Sequence, residues 1–446
     1  MYAQSLKLLK VSIVGLVVIE SLILAFLMRP IQDDYFNLQS VQQMGVLGYL
    51  EDTWTLHGGN MIQFLIHCIM ILPTTQAFVF WNFSLFFILT QILVFFAVKV
   101  ISSWIVTTDS QLTRFWVPLL SVAGFEGLFI PGLLGAYGFS LASLAHLWPV
   151  MALIFGLLAI RKFKGSWLLA LALGLVAGNS NLGESAFACG VWVFLYFAFR
   201  RIPQFEVKSR IVVNSNFYML GLGVFVGTVG IVAAPGFWNR ASDQVGLPTS
   251  LGEFLTRFTK SFASFTADGL THPMVWVLFL LGVLLGMNQN KSKLEVKEVR
   301  LKMLLVGTAT IWAALIVGST FAYPAWHQSM GMYVLLLPLS FALGIRLNIR
   351  ASQKVIGSLL LASSLVMLFT FVRIGVLGVE RSLQWDRNLT TNSCRIAENP
   401  NSALLGAEIQ YPPFGLGVDD VNTWEWMRYK YVGWVENISE KKCLAD

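Results

Sequence analysis

Leu9 to Met28 reads LKVSIVGLVVIESLILAFLM, and Arg29 to Asp34, RPIQDD, follows it directly. At 1.5 Å per residue a helix of this length covers about 30 Å, the thickness of a bilayer's hydrocarbon. The run is continuous rather than alternating, so it is a helical span and not a barrel strand. Lys7 and Lys10 flank its start as basic residues do in a signal sequence. No small-x-small cleavage site follows, because Arg29-Pro30 does, and an uncleaved anchor is expected.

Runs of this kind recur through the chain. Hydrophobic residues make up 56% of it and charged residues 12%, well below the roughly 25% charged share of soluble domains, which points to an all-α polytopic membrane protein. After the first, spans are expected near 78–106, 115–130, 140–160, 167–178, 184–199, 214–234, 273–287, 302–321, 328–346 and 354–377. That makes about eleven, within a range of ten to twelve. The short run 61–72 is expected to lie in the interface or fold back, and the short pair meeting near 179–183 to form a broken hairpin.

Basic residues give the orientation. With the N-terminus in the cytoplasm, nineteen Lys and Arg fall in inner segments, among them Arg161, Lys162, Lys164, Arg200, Arg201 and Arg300. The outer loops between spans hold four, Arg29, Arg240, Arg257 and Lys260, and this is a strong positive-inside bias. Spread over short loops, these residues account for the net charge of +7 without a nucleic-acid partner. Residues 1–377 then form the membrane domain, with outer loops at 29–77 and 235–272. Residues 378–446 are expected to form a small extracytoplasmic domain, where Cys394 and Cys443 are disulfide candidates on an oxidising side. Cys68 and Cys189 lie in apolar runs and read as packing residues.

Polar chemistry gathers on the outer side. Asp33, Asp34 and Tyr35 follow the first span, and carboxylates so close to hydrocarbon need a reason. Trp54, His57, Gly58, Gly59 and Asn60 close the same loop. Ala145 to Pro149, AHLWP, opens a middle span with His146 and Trp148. Gly178 to Ser185, GNSNLGES, sets Asn179, Asn181 and Glu184 in a tight turn, and Ala322 to Gln328, AYPAWHQ, carries Tyr323, Trp326 and His327. One wet, outward-facing cavity would collect them.

These motifs together resemble membrane glycosyltransferases of GT-C type, in particular bacterial and phage-encoded enzymes that modify surface polysaccharide such as O-antigen glucosyltransferases. The resemblance covers the N-terminal half best; where relatives tend to carry Gly-Arg after the tryptophan, this chain has Gly59-Asn60. It implies a GT-C-like fold and transfer of a sugar, a hexose such as glucose, from a polyprenyl-phosphate donor to a glycan or glycolipid acceptor. The setting it implies is the bacterial inner membrane, with the site facing the periplasm. A donor synthase and a flippase are implied partners, beside the membrane lipids themselves.

Inverting transfer needs a carboxylate to take the acceptor's proton, and Asp33 or Asp34 is the candidate, with the other in support. The remaining site candidates are Tyr35, Trp54, His57, Asn60, His146, Trp148, Asn179 and Glu184. Arg240, Lys260 and His327 are candidates for facing the leaving phosphate. A divalent cation, Mg²⁺ or Mn²⁺, held by Asp34 and Glu184 would serve the same end. Two other classes fit many spans: an O-antigen-type polymerase or ligase, which usually has arginine-rich outer loops, and a lipid or glycan transporter without catalysis. The transporter would put polar groups mid-span, where Glu20 and Glu126 are the main candidates.

Overall fold

The computed structural model describes residues 2–27, 32–71, 76–106, 111–126, 143–160, 166–202, 204–244, 248–287, 295–321, 329–347 and 352–398. The described chain is almost wholly helical. In order it forms α1 (Tyr2–Leu27), α2 (Gln32–Asp52), α3 (Met61–Ile71), α4 (Gln76–Ile105) and α5 (Val117–Glu126). Next come α6 (Trp148–Ile154), α7 (Trp167–Gly178), α8 (Leu182–Arg201), α9 (Phe205–Ser209) and α10 (Ser215–Ala233). The rest is α11 (Pro235–Gln244), α12 (Leu251–Thr271), α13 (Pro273–Met287), α14 (Glu298–Phe321), α15 (Met330–Leu347) and α16 (Gln353–Glu398). Wide π turns occupy Thr53–His57, Leu112–Trp116, Ser143–Leu147 and Phe155–Ala159.

Among the described residues six helices are long and apolar enough to cross a membrane: α4, α8, α10, α14, α15 and the first part of α16. A seventh span results if α12 and α13, bent by 54° at their break, count as one. Val11–Phe26, Met61–Ile71, Ser143–Ala159 and Trp167–Gly178 are apolar but shorter. The membrane class is therefore plain, while the larger count depends on those shorter helices. The described residues of the segment expected as a long loop at 235–272 form α11 and α12, and the chain beyond residue 377 continues α16 without a break to Glu398. Cys394 is disulfide-bonded, Cys68 and Cys189 are free, and Cys443 lies outside the described residues.

Close backbone packing holds the core pairs together. In a membrane, apolar side chains gain little by leaving lipid, so small residues that let helices touch supply the contact. Gly174 and Gly178 of α7 meet Gly223 and Gly227 of α10. A Cβ at Gly174 would lie 2.2 Å from the Leu220 carbonyl oxygen, and one at Gly223 would lie 2.4 Å from that of Leu171. Gly282 of α13 and Gly344 of α15 form a second such contact.

One end of the bundle is closed by Arg300, which is buried at the start of α14. Its guanidinium donates to the Trp104 carbonyl at 2.7 Å and the Lys208 carbonyl at 3.1 Å. A cation on the last carbonyls of α4 and α9 compensates both helix ends. The other end of the bundle, where α8 begins, holds the polar residues.

Candidate functional site

The turn between α7 and α8 is built from its own side chains. Asn181 caps α8 by accepting from the Gly183 amide at 2.9 Å, and the Ser185 hydroxyl donates to the Gly178 carbonyl at 2.7 Å. This fixes Glu184 in the first turn of α8, pointing inward and 1% exposed. Glu184 Oε1 lies 2.9 Å from His146 Nδ1, on the π turn that leads into α6. The Asn181 amide nitrogen is 3.3 Å from the same ring nitrogen. Carboxylate contact at Nδ1 orients an imidazole and fixes which nitrogen carries the proton. Glu184 Oε2 is buried without a partner among the described residues.

Asn179 joins this turn to the first loop. Its carbonyl oxygen accepts from the Ile62 amide at 2.8 Å, while its amide nitrogen donates to the Gly59 carbonyl at 2.7 Å and the Gly227 carbonyl at 3.2 Å. Gly59 is pressed onto α10, where a Cβ would come within 2.4 Å of Gly230 O and Ile231 Cα. The Gly58-Gly59-Asn60 segment is thus a packing element, with Asn60 donating to Gln63 at 3.0 Å. Just before it, the π turn Thr53–His57 closes with the Gly58 amide on the Thr53 carbonyl at 2.8 Å and carries a half-buried Trp54. Wide turns of this kind often sit at functional sites. Asn239 of α11 donates to the Thr55 carbonyl at 3.2 Å, tying the long loop to it.

α2 kinks at Gly45, whose φ of 71° suits glycine. Asp33, Asp34 and Tyr35 lie in its first turn, but their side chains are outside the described residues, as are those of His57 and Arg240 and all of 322–328 with His327. One turn beyond Asp33, Asn37 is buried and lies 3.4 Å from His67 Nδ1 on α3. Trp148 turns into the bundle. It stacks on Phe86 with centroids 5.3 Å apart and donates to Thr90 Oγ1 at 3.1 Å. Lys260 is exposed on α12.

The chain matches no protein family, no characterised protein and no solved structure. The site is therefore read from its own residues. Three of the segments singled out in the sequence meet here: the Gly-Gly-Asn segment, the His-x-Trp-Pro segment and the Asn/Glu turn. Among the described residues no three His, Cys, Asp or Glu side chains come together as a metal-ligand set. Glu184 has His146 for a neighbour and no second described carboxylate, so the described residues do not make a divalent-cation site. Below the pair an apolar cavity of about 160 Å³ runs along α8, lined by Phe187, Gly190, Phe194, Leu153, Trp104 and Thr310.

Sequence reading missed several polar residues: Asn37 against His67, Gln63 against Asn60, and Ser21 and Gln91 against Glu126. Polar residues within apolar runs were the available signal. His272, at the α12–α13 break, is buried between the Gly124 carbonyl at 3.2 Å and the Met274 amide at 3.1 Å, a fully structural position.

Proposed function

We propose that the chain is a GT-C-like glycosyltransferase of about eleven spans with a cytoplasmic N-terminus. It would move a hexose such as glucose from a polyprenyl-phosphate donor to a surface glycan or glycolipid, on the periplasmic face of a bacterial inner membrane. One observation carries the reading. Segments distant in sequence, around residues 59–62, 146 and 179–184, converge at one end of the bundle through Asn179 and the His146–Glu184 pair.

In this reading Asp33 or Asp34, at the start of α2, takes the proton of the acceptor hydroxyl as its oxygen attacks the anomeric carbon. The C–O bond to the polyprenyl phosphate breaks, and the phosphate leaves with the electron pair. His146, oriented by Glu184, offers its imidazole to the charge that develops there. The apolar cavity along α8 suits an isoprenoid chain, keeping the donor's phosphate near the polar end. Asn179, its amide spent on backbone, holds the site together and does not touch substrate.

The test is transfer of labelled sugar from polyprenyl phosphate to glycan, comparing wild type with Asp33→Asn and Asp34→Asn at matched membrane expression. Loss of transfer by about 100-fold or more in one variant identifies the base. Normal transfer in both removes the acidic pair from the chemistry and with it this mechanism.

A further inference from the structure

α1, α4, α5 and α16 bury a second polar group that the proposed transfer does not use. Glu126, at the end of α5, is fully buried, and its Oε1 accepts from the Ser21 hydroxyl of α1 and the Gln91 side-chain amide of α4. Its Oε2 has no partner among the described residues. One position before Ser21, in the middle of α1, Glu20 is 9% exposed, and its Oε1 is likewise without a partner. The two carboxyls lie within electrostatic reach of each other. Glu20 rests against Gly375 of α16, where a Cβ would come 2.6 Å from Oε1, so glycine leaves the carboxyl its place in the helix contact.

Orphan oxygens on two buried carboxyls inside hydrocarbon are costly unless a positive charge compensates them. Among the described residues no basic side chain pairs with either carboxyl. Lys99 of α4 lies two turns beyond Gln91 over the Phe96 ring, and Arg373 of α16 is exposed. The nearest histidine to Glu126 along these contacts, His272, is held by Gly124 and Met274. Ser21 has one proton for two acceptors, the Val17 carbonyl at 2.8 Å and Glu126. When it serves Val17, its contact with Glu126 draws on a proton from the carboxyl. No third acidic, His or Cys side chain joins among the described residues, leaving too few charged oxygens for Mg²⁺ or Ca²⁺.

We propose that Glu20 and Glu126 hold one monovalent cation between them, a proton or Na⁺, and that binding it locks α1 onto α5 and α16. This inference stands on the bundle interior alone and does not depend on sugar transfer.

The test follows thermal unfolding of the full-length protein in detergent while pH and Na⁺ are varied, with choline holding ionic strength constant. Wild type is expected to unfold at a higher temperature as the cation is supplied, and Glu20→Gln and Glu126→Gln each to lose that dependence. A response to Na⁺ at fixed pH identifies sodium; a response to pH alone identifies the proton. A wild type indifferent to both, or Gln variants with an unchanged response, overturns the proposal. Should the Gln variants fail to fold, dicyclohexylcarbodiimide labelling of wild type decides. An adduct on Glu20 or Glu126 that is lost at high pH or in Na⁺ supports the site. No adduct between about pH 5 and pH 9 overturns it.

Discussion

Asn179 and Gly59 are bound face to face, the Asn179 amide nitrogen 2.7 Å from the Gly59 carbonyl, with the same nitrogen reaching Gly227. The side chain is a clamp between the first loop, α7 and α10. Asn179→Ala takes the partner from the Gly59 carbonyl and the Ile62 amide, at about 1 kcal/mol or more each, while the Gly227 carbonyl keeps its place in the α10 ladder. Asn179→Asp is expected to be worse than Ala, because a carboxylate oxygen would face two carbonyl oxygens. Thermal unfolding in detergent should rank the three Asn > Ala > Asp. An Asp variant as stable as wild type would contradict the clamp.

Gly59→Ala drives a methyl into the α10 backbone at 2.4 Å, where neither Gly230 nor Ile231 can turn aside. Overpacking of this kind costs about 1–3 kcal/mol. Gly307→Ala on α14 is the control, since no atom lies within 4 Å of its Cβ position; there the substitution should be neutral or stabilise by up to about 1 kcal/mol through helix propensity. Equal losses at both positions would mean that the contact between residue 59 and α10 does not form.

The apolar helices were legible because continuous apolar length is a direct signal, whereas only six or seven of the expected eleven are long enough among the described residues to count as spans. The expected runs 167–178, 214–234 and 273–287 fall on α7, α10 and α13 within about two residues. Which helix meets which was not legible, since buried and lipid-facing sides of a membrane helix are equally apolar and periodicity is flat. The Gly174/Gly178 and Gly223/Gly227 spacings stand in the sequence, yet nothing there says that one stripe meets the other. Asn179 shows the same limit from the polar side. Its presence in a turn was plain, whereas its commitment to Gly59 and Ile62 needed coordinates.

Trp148 offers a clean separation of packing from sugar contact. Its ring lies on Phe86 and its indole N–H goes to Thr90. Trp148→Phe keeps an aromatic ring for Phe86 while removing the hydrogen bond and part of the packed ring, so it should cost somewhat more than the roughly 1 kcal/mol of stability expected for Thr90→Val. Combined, they should cost little more than Trp148→Phe alone, because both remove the same hydrogen bond. Transfer per folded molecule should stay within about twofold of wild type, a change worth less than 1 kcal/mol. A raised KM in Trp148→Phe that Thr90→Val does not share would put the indole against the sugar instead.

His146 and Glu184 should behave as one unit. Glu184→Gln keeps an oxygen for the Nδ1 proton but removes the charge behind the imidazole, and His146→Gln removes the imidazole itself. Loss of such an orienting partner typically costs about 10- to 100-fold. Because Glu184 acts through His146, adding Glu184→Gln to His146→Gln should lower transfer little further, as expected for residues that work together. Thermal unfolding of each variant separates this from a loss of fold. The unfolding midpoint of Glu184→Gln should stay near that of wild type, since the hydrogen bond at 2.9 Å survives and the buried charge is gone. Multiplicative losses in the double variant would show that the two side chains act apart, and the pair would no longer support a shared role in transfer.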